Sequence, residues 1–416
     1  MKKVNLDILI PKIYKLKNTS MLGVGPMSTN VIMACFELAK DNNFPLMFIA
    51  SRNQIDLKKY GGGYVNGWDQ FEFVDNIKKI ADELSFPHYY ICRDHGGPWQ
   101  RDEERNAHLP VEEAMAIAKE SFAADIAARF DLLMVDPTKD PFVMGKTVPM
   151  DFVLEKTVEL IEFCEQERIQ QGVDHLSYEV GTEETNGGLT TLKEYDTFLK
   201  ELKKELVKRN LPTPIFAVGQ TGTLVKSTQQ AGKFDLAVAK ELSEMAYTHE
   251  VYLKEHNGDY LDDSSLLKHI PARVAAVNVA PQFGTEETRA YLSLCKIEDD
   301  LHKLGLINTV SSLRDTLLEE AIKTNRWKKW VSEKEQKMNY NEIIQDDKLS
   351  FKILEIAGHY TLNNPKVITE KSALLSNLAQ HNIDGDKFVV NRVKVPIQNY
   401  IDGLNLKDSL TQALEQ

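Results

Sequence analysis

The sequence predicts an α/β protein, an eight-stranded (β/α)8 TIM barrel followed by a mainly helical C-terminal extension. Three observations carry this. Short apolar runs recur eight times within residues 1–305, each closed by a turn cluster. Amphipathic stretches with apolar residues at i, i+3, i+4 and i+7 lie between them. From about residue 306 the alternation stops and helical patterning takes over. Strands alternating with helices imply a parallel sheet, because a parallel partner needs a crossover, and eight such units suit a closed barrel better than an open sheet.

The strands are expected at 20–26 (SMLGVGP), 46–50 (LMFIA), 88–93 (HYYICR), 131–135 (DLLMV), 175–180 (HLSYEV), 214–219 (PIFAVG), 251–256 (VYLKEH) and 273–279 (RVAAVNV). The clearest crossover helices are STNVIMACFELAKD, WDQFEFVDNIKKIADEL, VEEAMAIAKESFAADIAARF, MDFVLEKTVELIEFCEQERIQQG and TLKEYDTFLKELKKELVKRN, with the short LDDSSLLKHIP before the last strand. Residues 1–305 are assigned to the barrel and 306–416 to the extension, whose clearest segments are SSLRDTLLEEAIKTNRWKKWVSEKEQKM and SALLSNLAQHNI. Trp327 and Trp330 stand at i, i+3 and read as packing residues.

The net charge of −12 is dispersed over both signs, so the chain shows no basic footprint for nucleic acid. Cys35, Cys92, Cys164 and Cys295 lie far apart without a CxxC pair, which argues against a disulfide scaffold or zinc finger. With no secretory leader and no apolar run long enough for a bilayer, a cytoplasmic protein with reduced thiols and no membrane partner is expected.

Barrel chemistry resides at the C-terminal ends of strands. After strands two to eight stand SRNQ, DHGGPW, DPTKD, EVGTEE, GQTGT, HNGD and APQFG, an unusually polar set. Asp94, His95, Asp136, Glu179, Glu183, His256 and Asp259 are therefore expected to converge on one mouth. Two imidazoles and a carboxylate, at about 2.0–2.2 Å from a cation, make a catalytic zinc shell; Mn²⁺ or Co²⁺ tolerates the same donors. The expected metal ligands are His95, His256 and Glu183, with Glu179 the competing carboxylate, and Asp94, Asp136 and Glu183 are expected catalytic groups.

Asn53, Gln54, Gln220, Thr221 and Asp259 are expected to bind substrate. Arg52, Lys139, Lys146 and Lys226 are candidates for an anionic group, against the plainer reading of solvated charges. The remaining histidines, His359 among them, read as structural or solvated, and Cys92 as a wall residue of its strand. The glycine-rich KKYGGGYVNGW and GQTGT match neither a P-loop nor a dinucleotide fingerprint.

Taken together, SRNQIDLKKYGGGYVNGW, CRDHGGPW, YEVGTEE, EHNGDY and KIEDDLHKLG resemble the so-called non-catalytic Z subunit of class II D-tagatose-1,6-bisphosphate aldolase, over nearly the whole chain. That family is similar to the catalytic class II aldolases, which are zinc-dependent barrels. The resemblance implies that Asp94 matches the catalytic aspartate and His95 the first zinc ligand. It also implies that Glu179 or Glu183 matches the glutamate after strand five, His256 the histidine after strand seven, and Asn278 the dihydroxyacetone-binding asparagine.

One departure is plain: AVGQTGTLV lacks the zinc histidine that catalytic members carry after strand six, so either Glu183 completes the shell or the metal is lost. The implied function is retro-aldol and aldol chemistry on a ketohexose or its phosphate, foremost C4 epimerisation. The alternatives are the aldolase activity itself or a non-catalytic subunit that stabilises a catalytic aldolase subunit. A homo-oligomer is a further implied assembly.

Overall fold

The computed structural model describes residues 3–143, 147–182 and 189–415. Eight parallel strands close a barrel: β1 (Met21–Val24), β2 (Leu46–Ser51), β3 (Tyr89–Gly96), β4 (Leu132–Val135), β5 (Ser177–Val180), β6 (Phe216–Val218), β9 (Tyr252–Glu255) and β10 (Ala276–Val279), with β10 pairing back onto β1. Each of the eight predicted runs forms a barrel strand. Between β6 and β9 a small antiparallel hairpin, β7 (Val225–Lys226) with β8 (Gln229–Gln230), is added. Two residues per strand are too few to leave a periodic signal, which is why the sequence does not announce it.

The crossover helices begin where the sequence offers side-chain oxygens to their first free N–H groups. Ser28 accepts from Val31 N, Thr191 from Glu194 N and Asp262 from Ser265 N, and Asp69 with Glu72 forms a capping box. Outward-facing strand residues such as Phe48, Ile91, Leu133, Tyr178, Leu253 and Val277 pack beneath these helices in the main core. Inward-facing Met21, Met47, Tyr90, Cys92, Leu132, Phe216 and Ala276 fill the lower barrel.

The floor of the barrel is a helix that the strand–helix pattern does not single out. Leu6–Leu16 lays Leu6, Leu9, Ile10 and Ile13, one helical face, onto that inward-facing set. Each such side chain withdrawn from water contributes roughly 1.5–3 kcal/mol. The opposite end is thereby left as the only open mouth among the described residues. Cys92 points into this interior rather than into the wall, and burial pushes its thiol well up, out of the reactive range.

Residues after 305 divide among three hydrophobic clusters. Leu313, Leu317, Trp327, Ile353 and Leu374 form their own cluster on Ala290, Tyr291 and Leu294 of helix Pro281–Lys303. Helix Gly385–Gly403 instead packs between Thr29–Asn42 and Pro281–Lys303, and Leu410 and Ala413 join the barrel floor. The predicted long tail helix breaks after Lys323: Arg326–Trp330 is a 3-10 turn entered through Asn325 in the left-handed region, and Gly358–Thr361 is another. Both turns face the mouth. No helix among the described residues is long and apolar enough to cross a membrane.

Candidate functional site

The site is built at the end of β3, where Asp94-His95-Gly96-Gly97 leaves the sheet. The register with β4 shifts between Arg93 and Gly96, and His95 takes φ 46, so the bulge turns its ring toward the barrel axis. Glycine is required just beyond: at Gly97, φ is +144 and a Cβ would lie 2.6 Å from the Asp136 carbonyl oxygen. The close approach of the β3 and β4 ends brings His95 Nδ1 to 2.6 Å from Asp136 Oδ2.

Asp136 is fully committed there. Its other oxygen accepts from Thr138 N at 3.1 Å and Thr138 Oγ1 at 2.5 Å. Burial raises the cost of its charge, yet His95 and Thr138 more than offset this and hold the carboxyl at about 2. Across the barrel, His256 follows β9 and its Nε2 lies 2.9 Å from Glu179 Oε1. Glu179 Oε2 accepts from Lys254 Nζ at 2.6 Å, both side chains being 1% exposed. Burial opposes the Glu179 charge; Lys254 and His256 outweigh it and hold the carboxyl below its usual range.

The carboxylates, as acceptors, assign the tautomers, with the Asn278 amide nitrogen also 3.2 Å from His256 Nε2. A carboxylate takes the proton of His95 Nδ1 and another that of His256 Nε2, so His95 Nε2 and His256 Nδ1 present lone pairs to each other, 3.3 Å apart. Two facing lone pairs repel unless a proton or cation lies between them. A tetrahedral zinc with Zn–N of about 2.0–2.1 Å sets its nitrogens roughly 3.3–3.4 Å apart, so the pair fits a divalent ion. Burial disfavours a charge on His95, but Asp94 and Asp136 outweigh it and raise its affinity for a proton, as they would for a metal.

Asp94 lies 3.8 Å from both His95 Nε2 and His256 Nε2, and Asp94, His95 and His256 are the one group among the described residues placed to hold a metal ion. The carboxylate set beside the imidazoles is thus Asp94. Glu179 is occupied by Lys254 and His256, and Glu183 lies outside the described residues, as does Lys146. Asn278 Nδ2 donates to Asp94 Oδ1 at 3.0 Å, and its own Oδ1 is buried without a partner. Gly23 makes room for that amide, since a Cβ there would stand 2.2 Å from Asn278 Oδ1.

Two cavities meet at His95. One of about 340 Å³ runs past Asp136, Thr138 and His256, and the other, of about 640 Å³, past Ser51, Asn53, Gln54 and Asp94. Lys139, Lys329 and Tyr360 line both, and Trp330 and His359 line the first. The C-terminal extension therefore roofs the barrel mouth. Trp327 is core, as its spacing suggests, whereas Trp330 faces the cavity.

Several expected residues arrive and others do not. Asn53 and Gln54 line the larger cavity, held by Gln100 O at 3.2 Å and Ser51 N at 2.8 Å respectively. Gln220 and Thr221 line neither cavity: Thr221 Oγ1 donates to Glu255 Oε2 at 2.7 Å, and Gln220 N to Thr190 Oγ1 at 2.7 Å. Glu255 is the outward neighbour of inward Lys254, so its partner Thr221 lies behind the barrel wall.

Asp259 also lines neither cavity, because it is turned to helix Pro281–Lys303, where Oδ1 accepts from Ala280 N at 3.0 Å and Gln282 N at 2.8 Å. Burial pushes its carboxyl up to about 7 against those bonds. Arg52 is no anion binder either; it is buried in ion pairs with Asp56 at 3.1 Å and Glu104 at 2.7 Å. Lys254 was missed although VYLKEH carries a signal, a charge at an inward position of a barrel strand. Lys329, Trp330 and Tyr360 had none, since they reach the mouth only through tail packing.

Among solved structures, a probable tagatose 6 phosphate kinase from Sinorhizobium meliloti 1021 shares the fold at TM-score 0.74 and 19% identity, covering 92% of this chain and 100% of that one. A fructose-bisphosphate aldolase from Campylobacter jejuni follows at TM-score 0.51 and 13% identity, covering 98% and 97%. No curated protein matches the chain. The family model described as D-tagatose-1,6-bisphosphate aldolase subunit GatZ/KbaZ-like matches residues 8–391, and with nearly the whole barrel and most of the tail inside that match, the chain belongs to this family.

Proposed function

We propose that the protein is a metal-dependent carbohydrate enzyme that acts on a ketohexose or ketohexose phosphate of the tagatose or fructose type by retro-aldol cleavage and re-addition, inverting C4. The observation that carries this reading is the facing pair His95 Nε2 and His256 Nδ1, each backed by a buried carboxylate. His95 and His256 would hold the ion, zinc foremost, with Glu183 as the proposed third ligand. A divalent ion there supplies Lewis-acid polarisation of the C2 carbonyl.

The chain's own groups do the rest. Asp94 accepts the C4 hydroxyl proton as the C3–C4 bond breaks and returns it when the bond re-forms. Asn278 holds Asp94 by its amide at 3.0 Å, and Asp136 and Glu179 fix the two rings. The roof of Trp330 and Tyr360 keeps the aldehyde half enclosed, so that it turns and is attacked on its other face. Release of that half would instead make the protein an aldolase.

The family description favours a second reading, a subunit that supports a separate catalytic aldolase. A scaffold has no use for two imidazoles held in opposed tautomers by buried carboxylates. Incubating the pure protein with fructose 6-phosphate, tagatose 6-phosphate and the bisphosphates, with product analysis, separates them. Interconversion of the 6-phosphates supports the enzyme; no turnover, with enhanced activity of an added class II aldolase, supports the subunit.

A further inference from the structure

A third cavity, of about 530 Å³, lies between the β7–β8 hairpin and the tail, and it is lined by Lys226, Ser227, Thr228, Gln229, Lys329, Trp330 and Lys352. Its lining holds three ammonium groups and no carboxylate, in a chain whose net charge is −12. Among the described residues no carboxylate lies within ion-pair distance of Lys226, Lys329 or Lys352, although Asp102 acts on Lys329 from further off. Glu335, the acid that feels Lys352, is already bonded to Ser332 N and Oγ at 2.7 Å each. Elsewhere on this surface the lysines commonly meet an acid, as Lys203 meets Glu250 and Lys323 meets Glu319. Asp102 is the carboxylate that acts on the buried Lys329 ammonium, and Arg326, Lys139 and Arg105 oppose it, so the excess charge about Lys329 is positive and an anion in the cavity relieves it.

The cavity is also connected to the chemistry. Lys329 and Trp330 line both it and the chamber that contains His95 and His256. The Lys329 ammonium rests 4.8 Å from the centre of the Trp330 ring, a cation–π contact that orients it at the junction. Ser227, in the left-handed region at φ 57, forms the hairpin tip with Thr228, and both residues line the same wall. Ammonium groups with neighbouring hydroxyl donors recognise a phosphoryl ester, which carries about −1.5 to −2 charges at neutral pH.

We propose that Lys226, Lys329 and Lys352 form the binding site for the phosphoryl group of the substrate, so that the C-terminal extension together with the hairpin decides between a ketohexose and its phosphate. The proposal rests on the reading of the barrel mouth as a sugar site, and it adds where the charged end lies.

The test is equilibrium binding of fructose and of fructose 6-phosphate, by calorimetry, to the metal-loaded protein and to Lys329→Gln, Lys226→Gln/Lys352→Gln and Lys329→Arg, with metal content measured for each. The expected result is that the wild type prefers the phosphate by roughly tenfold or more, and that this preference shrinks with added salt. It collapses in the two glutamine variants and is largely retained in Lys329→Arg, with metal content unchanged throughout. Equal preference in wild type and glutamine variants, or no preference in the wild type, overturns the proposal. Because binding is read rather than turnover, a protein that binds the phosphate through these lysines yet converts no sugar would sink the enzymatic reading alone. One that epimerises sugar while the variants keep their preference would sink the lysine site alone.

Discussion

His95 Nε2 and His256 Nδ1 stand 3.3 Å apart with their other ring nitrogens held by Asp136 and Glu179, so the protein positions two lone pairs at one point in space. Protein purified without chelator is therefore expected to carry one divalent ion per chain. His95→Ala and His256→Ala should each lose it, together with activity. Elemental analysis that finds no stoichiometric metal in the wild type would remove the basis of the proposed mechanism.

Asp94→Asn separates proton transfer from metal holding. An amide still accepts or donates to Asn278 but takes up no hydroxyl proton, so turnover should drop by roughly 10²-fold or more while metal content stays near wild type. Loss of the metal in this variant would make Asp94 the third ligand in place of Glu183.

Lys254 acts through two intermediaries. Lys254→Met leaves Glu179 buried without its cation, which should cost about 3–5 kcal/mol in denaturant unfolding and lower metal affinity by roughly 10–100-fold. Adding Glu179→Gln should restore much of the stability without restoring the affinity. A single variant as stable as the wild type would show that the ion pair is not the buried, coupled unit described here.

Asp259 yields a pH dependence of known sign. Its folded carboxyl sits at about 7, above its ordinary value of 3.8, so the folded state binds the extra proton. The contribution of this group to stability is complete below the ordinary value and is lost as pH rises through the folded one. Asp259→Asn, which keeps an acceptor for Ala280 N and Gln282 N, should flatten that decline between pH 4 and about 7. Unfolding curves with the same pH slope in both proteins would count against it.

Cleavage and re-addition differ from deprotonation in the fate of one hydrogen. The hydrogen on C4 should remain on its carbon when the sugar is converted in deuterium oxide. Deuterium at C4 would refute carbon–carbon cleavage, and three-carbon products accumulating as fast as substrate disappears would assign aldolase activity instead.

Period and punctuation made the barrel legible in the sequence: eight apolar runs bounded by turn residues, with caps such as Ser28, Asp69 and Thr191 starting the helices between. The pair His95 and His256 was legible for the same reason, since each follows a strand and a barrel gathers strand ends. Asn278 was reached only through family resemblance. The floor helix Leu6–Leu16 precedes the first strand and so escaped the alternation, although its Leu6, Leu9, Ile10, Ile13 face has the helical period.

What the sequence by itself determined is the set of strands and the chemistry at their ends, because both follow from local spacing along the chain. Only the tertiary structure decided which of those groups face the mouth. Thr221 and Asp259 stand at strand ends yet turn to Glu255 and the helix at Pro281, since a loop residue's direction depends on the neighbour that satisfies it. Only the tertiary structure, too, brought Lys329, Trp330 and Tyr360 over the barrel, because more than three hundred residues separate Lys329 from the start of β1 and no periodicity spans such a distance. Packing of the turns Arg326–Trp330 and Gly358–Thr361 on helices Leu313–Lys323 and Asp347–Ala357, and of the second turn on Pro281–Lys303, fixes that roof, through burial of side chains whose partners lie far away in the chain.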